Sequence, residues 1–458
     1  MNYTYTEIRP KGDANGDWKD IAFDGNYLIT AEYEGRVYTS ANLGTNWTER
    51  IIWTDNDFEW LRCAISGQYM SVVNNGTIIG VSSDYGANWL CNQPNNEVIT
   101  WMNEPDPPGY AFPSSVSFSY GMEMKGNDII VYGMSDYQLV DIASAYMTID
   151  GGINWTPLNP INGYRKDMQT NSASIDGNNI LLSQQVYDLG VTTRKLYLST
   201  NYGGSWNEID IPEEISHYAK ARISGNYILL IERIAGRVWI SSDLGDNWSE
   251  VQPGGDYDYA WYDCDIADNG ETMVVVASDG YSTGGPIYTS VNYGETWAKE
   301  EPEGNYPRIW SACRISGDYI VATIYGGRIW LMDKIDIEVT TNEATAITVN
   351  GATLNGEIAT SVNATERGFQ WYKDGVPETV ETTYESGDFE EGAYTATLST
   401  VLDAGTKYYY RAYAKIGGAN YYGEYVDFTT LTTYHFRAYA VDENGETVYG
   451  QDNEFTFT

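Results

Sequence analysis

The sequence predicts an all-β protein: a seven-bladed β-propeller, then a β-sandwich and an extra terminal hairpin. Three observations predict it. One turn motif recurs six times, and an inner-strand phrase recurs seven times along the first part of the chain. The composition, with 40 Tyr, 15 Trp and 46 Gly among 458 residues, favours short strands and tight turns over helices.

The turn motif is [Ser/Thr]-x-[Asp/Asn]-x-Gly-x-x-Trp, and each copy predicts a hairpin. The Asp or Asn side chain accepts hydrogen bonds from the turn's own backbone, while Gly supplies the positive φ of the reversal. The Trp is expected to open the next strand as a large buried anchor. The copies are Ser40–Trp47, Ser82–Trp89, Thr148–Trp155, Ser199–Trp206, Ser241–Trp248 and Ser290–Trp297, with structural residues Asn42, Trp47, Asp84, Trp89, Asp150, Trp155, Asn201, Trp206, Asp243, Trp248, Asn292 and Trp297.

The second phrase is an aromatic, a few alternating residues, a glycine turn and an apolar strand, as in Trp18–Thr30. Units recur at roughly 42 to 59 residues, which fits one four-stranded blade per unit. The seventh unit has no turn motif, and residues 3–9, Tyr-Thr-Tyr-Thr-Glu-Ile-Arg, are predicted to supply its missing fourth strand. The propeller is therefore assigned to residues 1–335, with rim insertions at Glu97–Ser119 and in blades 4 and 6.

The repeated turn resembles the Asp-box, or BNR, repeat of sialidase-like β-propellers. The resemblance implies that the motif lies between the third and fourth strands of a blade, and that its Asp and Asn residues are structural. Any function would instead be built at the mouth of the channel from loops and inner strands.

Composition changes near Ile335, and residues 336–430 alternate as an antiparallel sandwich does. The phrase from Leu402 to Ala414, Leu-Asp-Ala-Gly-Thr-Lys-Tyr-Tyr-Tyr-Arg-Ala-Tyr-Ala, resembles the tyrosine-corner region of fibronectin type III-like domains. Residues 431–458 then repeat 406–429 almost position by position, as the last hairpin of a second sandwich. The hairpin is expected either to extend an edge of its own sandwich or to pair with a neighbouring subunit by strand addition.

The balance of 64 acidic to 26 basic residues gives a formal charge of −38, which disfavours nucleic acid and anionic membranes as partners. The N-terminus has no signal-peptide pattern, and no apolar stretch predicts membrane insertion. Cys63, Cys264 and Cys313 each follow a Trp by three residues, which indicates small buried residues of inner strands. With Cys91 they show no metal-ligand spacing, so no metal site is predicted.

Candidate ligand-binding residues come from two places. Arg62 is expected on an inner strand with Arg222 and Arg314, either as a basic cluster near the channel or in ion pairs with acids such as Asp20 and Asp263. The segment from Asp256 to Asp265 combines acids and aromatics, as a sugar site does, although a loop followed by core residues is the plainer interpretation. Its candidates are Asp256, Tyr257, Tyr259, Trp261 and Asp263.

No cofactor is predicted, although Asp13–Asp17 has the look of the start of a calcium loop without its downstream Gly and Glu. A sialidase would need an arginine clamp, and the family's Arg-Ile-Pro signature is missing; the nearest string is Ile8-Arg9-Pro10.

Two functions follow. The favoured one is a non-catalytic structural or binding protein, a propeller head for surface or glycan attachment. Its fibronectin-like sequence is similar to that of bacteriophage virion and bacterial surface proteins, which implies a virion fibre, decoration or tail-associated component, or an extracellular surface. Its partners would be other virion or surface proteins, a glycan, or its own hairpin. The alternative is a secreted glycoside hydrolase.

Overall fold

The computed structural model describes residues 3–457, apart from 53–58, 75–78, 93–116, 135–143, 152–154, 159, 161–167, 189–190, 213–214, 216–218, 234–235, 258, 269, 279–283, 303, 305–306, 361, 400 and 417–418. The predicted rim insertion therefore lies almost wholly outside the described residues. The chain divides into two compact units, Asn2–Lys334 and Ile335–Thr458, of which each is considered by itself.

The described part of the chain is all-β, with no helix, and its first unit consists of repeated four-stranded antiparallel meanders. Alternating, β-branched and aromatic-rich segments form the strands, and glycines at the hairpins reverse them. The strands are β1 Tyr3–Ile8; β2 Trp18–Asp24, β3 Tyr27–Glu32, β4 Val37–Ser40 and β5 Thr48–Arg50; β6 Trp60–Ser66, β7 Tyr69–Asn74, β8 Ile79–Ser82 and β9 Leu90–Asn92; β10 Ser117–Lys125, β11 Asp128–Met134, β12 Ala145–Thr148 and β13 Thr156–Pro157; β14 Met168–Asp176, β15 Asn179–Asp188, β16 Val191–Ser199 and β17 Asn207–Ile209; β18 Ala219–Ser224, β19 Tyr227–Glu232, β20 Val238–Ser241 and β21 Ser249–Val251; β22 Trp261–Ile266, β23 Met273–Ser278, β24 Gly284–Ser290 and β25 Ala298–Glu300; β26 Trp310–Ser316, β27 Tyr319–Ile324 and β28 Ile329–Lys334.

The first strands of these meanders face a common centre. Within the described residues, β2, β6, β10, β14, β18, β22 and β26 each contact the next, and β26 contacts β2, so the sequence of contacts closes into a circle. The meander of β26, β27 and β28 takes its outer strand from the other end of the unit, because β1 pairs antiparallel with β28 from Tyr3↔Lys334 to Ile8↔Ile329. Two meanders are also joined into one sheet where β11 meets β14 at Met134↔Gln169.

The repeated turn has one geometry wherever its residues are described in full. In the copy that begins at Ser241, the Ser241 hydroxyl accepts a 2.8 Å hydrogen bond from the Gly245 amide and donates one of 2.8 Å to Asp243. The same Asp243 carboxylate accepts a 2.9 Å bond from the Asn247 amide. The turn joins the third strand of a meander, here β20, to the fourth, β21.

The turn glycine has the expected positive φ, 97° at Gly245 and 82° at Gly294. The residue before the glycine also takes a left-handed conformation, with φ of 60° at Leu244 and 58° at Tyr293, so the reversal needs two positive-φ residues. The motif tryptophans are half-buried rather than buried. They pack against the edges of the apolar clusters. The deeply buried tryptophans are those that open inner strands: Trp18, Trp60, Trp261 and Trp310.

The turn glycine also packs against the neighbouring meander. A Cβ built at Gly294 would lie 2.0 Å from Cδ1 of Ile240, and one built at Gly245 would lie 2.4 Å from Cγ2 of Ile209. Each of these isoleucines is a buried residue of the preceding meander. The glycine is therefore required by packing between meanders as well as by φ.

The second unit contains a two-sheet sandwich around one apolar cluster. One sheet has the order β29, β30, β33; the other has the order β32, β31, β34, β35, with β36 also on β34. Tyr408 accepts a 2.9 Å hydrogen bond from the amide of Asp403, five residues upstream, beside buried Leu402. The strands are β29 Ile337–Thr345, β30 Ala352–Thr360, β31 Ala364–Lys373, β32 Glu381–Phe389, β33 Gly392–Leu398, β34 Lys407–Ile416, β35 Ala419–Tyr422 and β36 Val426–Thr429.

The terminal segment forms a hairpin that joins no other sheet of the described chain. Its four strands form two antiparallel pairs that join no further strand of the described residues, and nearly all their side chains are exposed. The expectation that this hairpin extends an edge of its own sandwich is wrong for this structure. The strands are β37 Thr432–Phe436, β38 Tyr439–Val441, β39 Thr447–Tyr449 and β40 Asn453–Phe457.

Candidate functional site

The inner strands bring charged side chains together at the centre of the first unit. Every second residue of a strand points to the same side, so the residues two, four and six positions apart share a face. The charged residues on this face come from different meanders, for example Asp20 on β2, Arg222 on β18 and Arg314 on β26. They line two cavities, one at each end of the inner strands.

An ion-pair network connects the inner strands across the centre. The Arg314 guanidinium donates to Asp263 at 2.8 Å and to Asp20 at 3.2 Å, and Lys220 Nζ lies 2.7 Å from the other oxygen of Asp263. Burial alone would raise the pKa of Asp263, but Lys220, Arg314 and Arg222 together hold it well below its usual range. Asp263 is therefore ionised at neutral pH.

The same carboxylates also bind the backbone of the next meander. Asp20 accepts a 3.2 Å hydrogen bond from the amide of Cys63, and Asp263 accepts one of 3.2 Å from the amide of Cys313. Because these acids satisfy backbone donors as well as cations, the network has a structural role.

The larger cavity, the acidic opening, lies where the inner strands end. Its volume is about 400 Å³, and six carboxylates and three cations line it. At its base Arg222 Nη2 lies 2.9 Å from Glu123, and Arg222 Nε lies 3.6 Å from Asp265. Burial raises the pKa of both Glu123 and Asp265 despite these partners. The charged residues of this lining are Asp24, Glu123, Asp176, Asp265, Asp268, Asp318, Lys125, Arg222 and Lys334.

The opposite end, the cationic opening, has the reverse balance of charge. Its cavity holds only about 20 Å³, and four cations and two carboxylates line it. A space of that size takes about one water, so a larger ligand would lie over the opening rather than in it. The charged residues of this lining are Lys19, Asp20, Arg62, Lys220, Asp263 and Arg314.

Tyrosines surround the cations of this opening. Lys19 Nζ lies 4.0 Å from the centroid of the Tyr325 ring and 4.6 Å from that of Tyr33, within cation–π distance. Burial lowers the pKa of Lys19; Asp17, 3.9 Å away, opposes this, and Arg62 adds to it. On the far side, the Arg233 guanidinium lies 5.1 Å from the Tyr262 ring.

The residues predicted from sequence do not form one site. Arg62 and Asp263 both line the cationic opening, but Asp263 is only 1% exposed and is fully engaged in the ion-pair network. Trp261 is 2% exposed and packs in the apolar cluster between meanders, so it is a core residue.

The other three candidates lie elsewhere. Tyr257 is exposed and contacts Tyr259 with ring centroids 4.5 Å apart, and Asp256 is exposed beside them. Tyr259 lines a separate cavity of about 220 Å³ with Trp310.

Sequence reasoning missed Lys19, Lys220, Tyr33 and Tyr325. Lys220 occupies the same position in its inner-strand phrase as Asp20 and Arg62 occupy in theirs, and Lys19 directly precedes Asp20. Alignment of the repeated phrases is the signal that would have found both lysines.

Within the described residues, no group of three or more His, Cys, Asp or Glu side chains is arranged to hold a metal ion. In the segment considered for calcium, Asp13 pairs with Arg9. No helix of the described chain is long and apolar enough to span a membrane.

No protein-family model matches the sequence, and no curated protein matches it. Solved structures do resemble it. YCF48 from Cyanidioschyzon merolae is 14% identical, covering 72% of this chain and 98% of its own, with a TM-score of 0.49. The GH74 enzyme of Niastella koreensis is 12% identical, with 94% and 75% covered and a TM-score of 0.49. The Cps50 (Swd1) β-propeller domain of Myceliophteria thermophila is 13% identical, with 72% and 99% covered and a TM-score of 0.47. The first unit has the architecture of a β-propeller on its own geometry, because its repeated four-stranded sheets close into a circle through their first strands.

Proposed function

We propose that this chain is a non-catalytic binding protein whose seven-bladed Asp-box propeller binds an acidic glycan at the cationic opening. The fibronectin type III-like sandwich accompanies this head, and the protein works on a virion, as a fibre, decoration or tail-associated component, or on an extracellular surface. Other virion or surface proteins are its partners. Calcium is not required for the proposed site.

One observation carries the proposal: Lys19 lies between two tyrosine rings, next to Arg62, in a chain of formal charge −38. Acidic sugars present a carboxylate to such a cation and an apolar ring face to tyrosine. Tyr325 is 39% exposed, so part of its ring faces solvent at the opening.

The negative charge of the whole chain does not prevent such binding. At physiological ionic strength, charges separated by more than about 8 Å are largely screened. An acidic ligand at the opening therefore responds mainly to the charges that line it. These are four cations and the two carboxylates of Asp20 and Asp263, so the lining has an excess of two positive charges.

The same carboxylates argue against catalysis at this end. A general acid must hold a proton at neutral pH, and the cations around Asp263 keep it ionised. Glycoside hydrolysis is the second candidate because of the acidic opening, where Glu123 and Asp265 have raised pKa values beside a cavity of about 400 Å³.

A glycan array that records both retained protein and released sugar tests the proposal. We expect retention on acidic glycans without release, and loss of retention in Tyr325→Ala. Tyr425→Ala is a matched control, because Tyr425 is 38% exposed and lies 4.8 Å from a guanidinium, that of Arg411, in the other unit. If the protein releases sugar and Glu123→Gln abolishes that release, glycoside hydrolysis would replace glycan binding as the function.

A further inference from the structure

The terminal hairpin is a structural copy of the strands β34 to β36 of the sandwich. Tyr408 pairs with Phe428 in the sandwich, and Tyr434 pairs with Phe455 in the hairpin. The rings are stacked in both places, with centroids 5.8 Å apart at 23° in the first and 5.4 Å apart at 19° in the second.

The agreement extends along the whole hairpin. The amide of Gly423 donates to the carbonyl of Ala412 at 3.0 Å, and the amide of Gly450 donates to that of Ala438 at 2.7 Å. Arg411 lies 3.8 Å from the ring of Tyr422. In the copy, the equivalent distance from Arg437 to Tyr449 is 3.7 Å.

The two copies differ in what covers them. In the sandwich, Phe369 and Trp371 of β31 contact the tyrosines of β34, and the second sheet closes the core, so Tyr408 and Phe428 are 3% and 5% exposed. In the hairpin, Tyr434 and Phe455 are each 50% exposed. Nothing equivalent to β29–β33 stands between β36 and β37, because only Thr430 and Leu431 separate them.

The uncovered face is uncharged. Tyr434, Phe436 and Phe455 contact one another through their rings, and Phe457 pairs with Thr432 two residues further along the same face. The alternate positions belong to the other face, where His435 Nδ1 lies 3.0 Å from Asp452. An uncharged face is one that two copies of a strongly acidic chain can bring together without placing carboxylates opposite each other.

We propose that this face is the contact between two copies of the chain, which pack their terminal hairpins aromatic face to aromatic face about a twofold axis. Such a contact is isologous, so each copy covers the exposed aromatic residues of the other. Half-covered rings at Tyr434, Phe436, Phe455 and Phe457 would together bury roughly 600–1,000 Å² over both copies. That area is below the roughly 1,200 Å² at which stable interfaces begin, so the dimer is weak and reversible.

Sedimentation of the full chain across a concentration range up to about 100 μM tests this assignment, with Phe455→Asp and Thr456→Asp as a matched pair. Both variants introduce aspartate into β40, at neighbouring positions on opposite faces. The wild type and Thr456→Asp should form dimers as concentration rises, and Phe455→Asp should remain monomeric. Phe436→Ser, on the paired strand, should also remain monomeric, which guards against a local effect of the aspartate.

A wild-type chain that stays monomeric throughout the range would overturn the proposal and leave the face to a different polypeptide. A dimer that persists in both aromatic-face variants would overturn it as well, because the contact would then lie elsewhere.

Discussion

Arg314 on β26 donates a 2.8 Å hydrogen bond to Asp263 on β22, the inner strand of the preceding meander. The same guanidinium reaches Asp20 on the following meander at 3.2 Å. One cation with a side chain that is 14% exposed thus connects three consecutive meanders at the centre of the unit. Its removal would leave two carboxylates without a shared partner.

Arg314→Ala is therefore expected to destabilise the first unit strongly. Removing one partner of a buried ion pair costs about 3–5 kcal/mol. Both acids stay buried in this variant, and only Asp263 keeps the second cation, Lys220, that the network gives it. Chemical denaturation followed by tryptophan fluorescence measures the loss. Lys195→Ala is the control, because Lys195 pairs with the exposed Glu208 in the same unit and such pairs contribute about 0–1 kcal/mol. Equal losses in the two variants would contradict a structural role for the network.

The pH dependence of the network follows from Asp263. Its folded pKa is depressed, so its stabilising effect is complete above the unfolded value of about 4 and is lost as pH falls through the folded value. The difference in unfolding free energy between the wild type and Asp263→Asn should shrink as pH is lowered from 7 to 3. Asp403→Asn, which alters an exposed pair with Lys373, should show little change in that difference. A constant difference for Asp263→Asn would show that the carboxylate's charge is not what stabilises the fold.

The turn glycines should differ in their tolerance of alanine. Gly294 has φ of 82° and no room for a Cβ beside Ile240, whereas Gly317 has φ of 56° and open space around it. The left-handed conformation alone costs a non-glycine residue about 1–2 kcal/mol. Gly294→Ala should therefore lower the unfolding free energy by more than Gly317→Ala, and thermal denaturation would measure both. Equal effects would mean that packing between meanders does not constrain the turn.

The inner-strand thiols should be unreactive in the folded protein. Burial raises the pKa of Cys264 to about 12, and Cys264 is fully covered. Cys91 is half-buried, and burial raises the pKa of its thiol to about 11. A thiol-specific chromophoric reagent at pH 8 should label Cys91 slowly and Cys264 only after unfolding. Labelling of Cys264 in the native protein at a rate similar to that of Cys91 would contradict the inner-strand packing.

Local patterns in the sequence predict the β-propeller well, because repetition and alternation are properties of neighbouring residues. The Ser241–Trp248 motif carries its own turn chemistry and needs no tertiary partner to be recognised. Its glycine is a partial exception, since the contact of Gly294 with Ile240 comes from another meander.

The candidate site depends on residues that the chain brings together from distant positions. Lys19, Tyr33 and Tyr325 come from the first and last meanders, and only closure of the circle places them side by side. The aromatic segment from Asp256 to Asp265 looks like a sugar site as a string, but the strand it enters turns Trp261 into the core. Sequence proximity indicates such a site poorly, because adjacent strand residues point to opposite faces.

The most direct test of the proposed function is a binding titration with a uronic-acid oligosaccharide and its carboxyl-reduced, neutral counterpart. The wild type should bind the acidic form and bind the neutral form at least tenfold more weakly, and Lys19→Met should lose that preference. Equal binding of the two forms by the wild type, or an unchanged preference in Lys19→Met, would contradict an acidic-glycan site at the cationic opening.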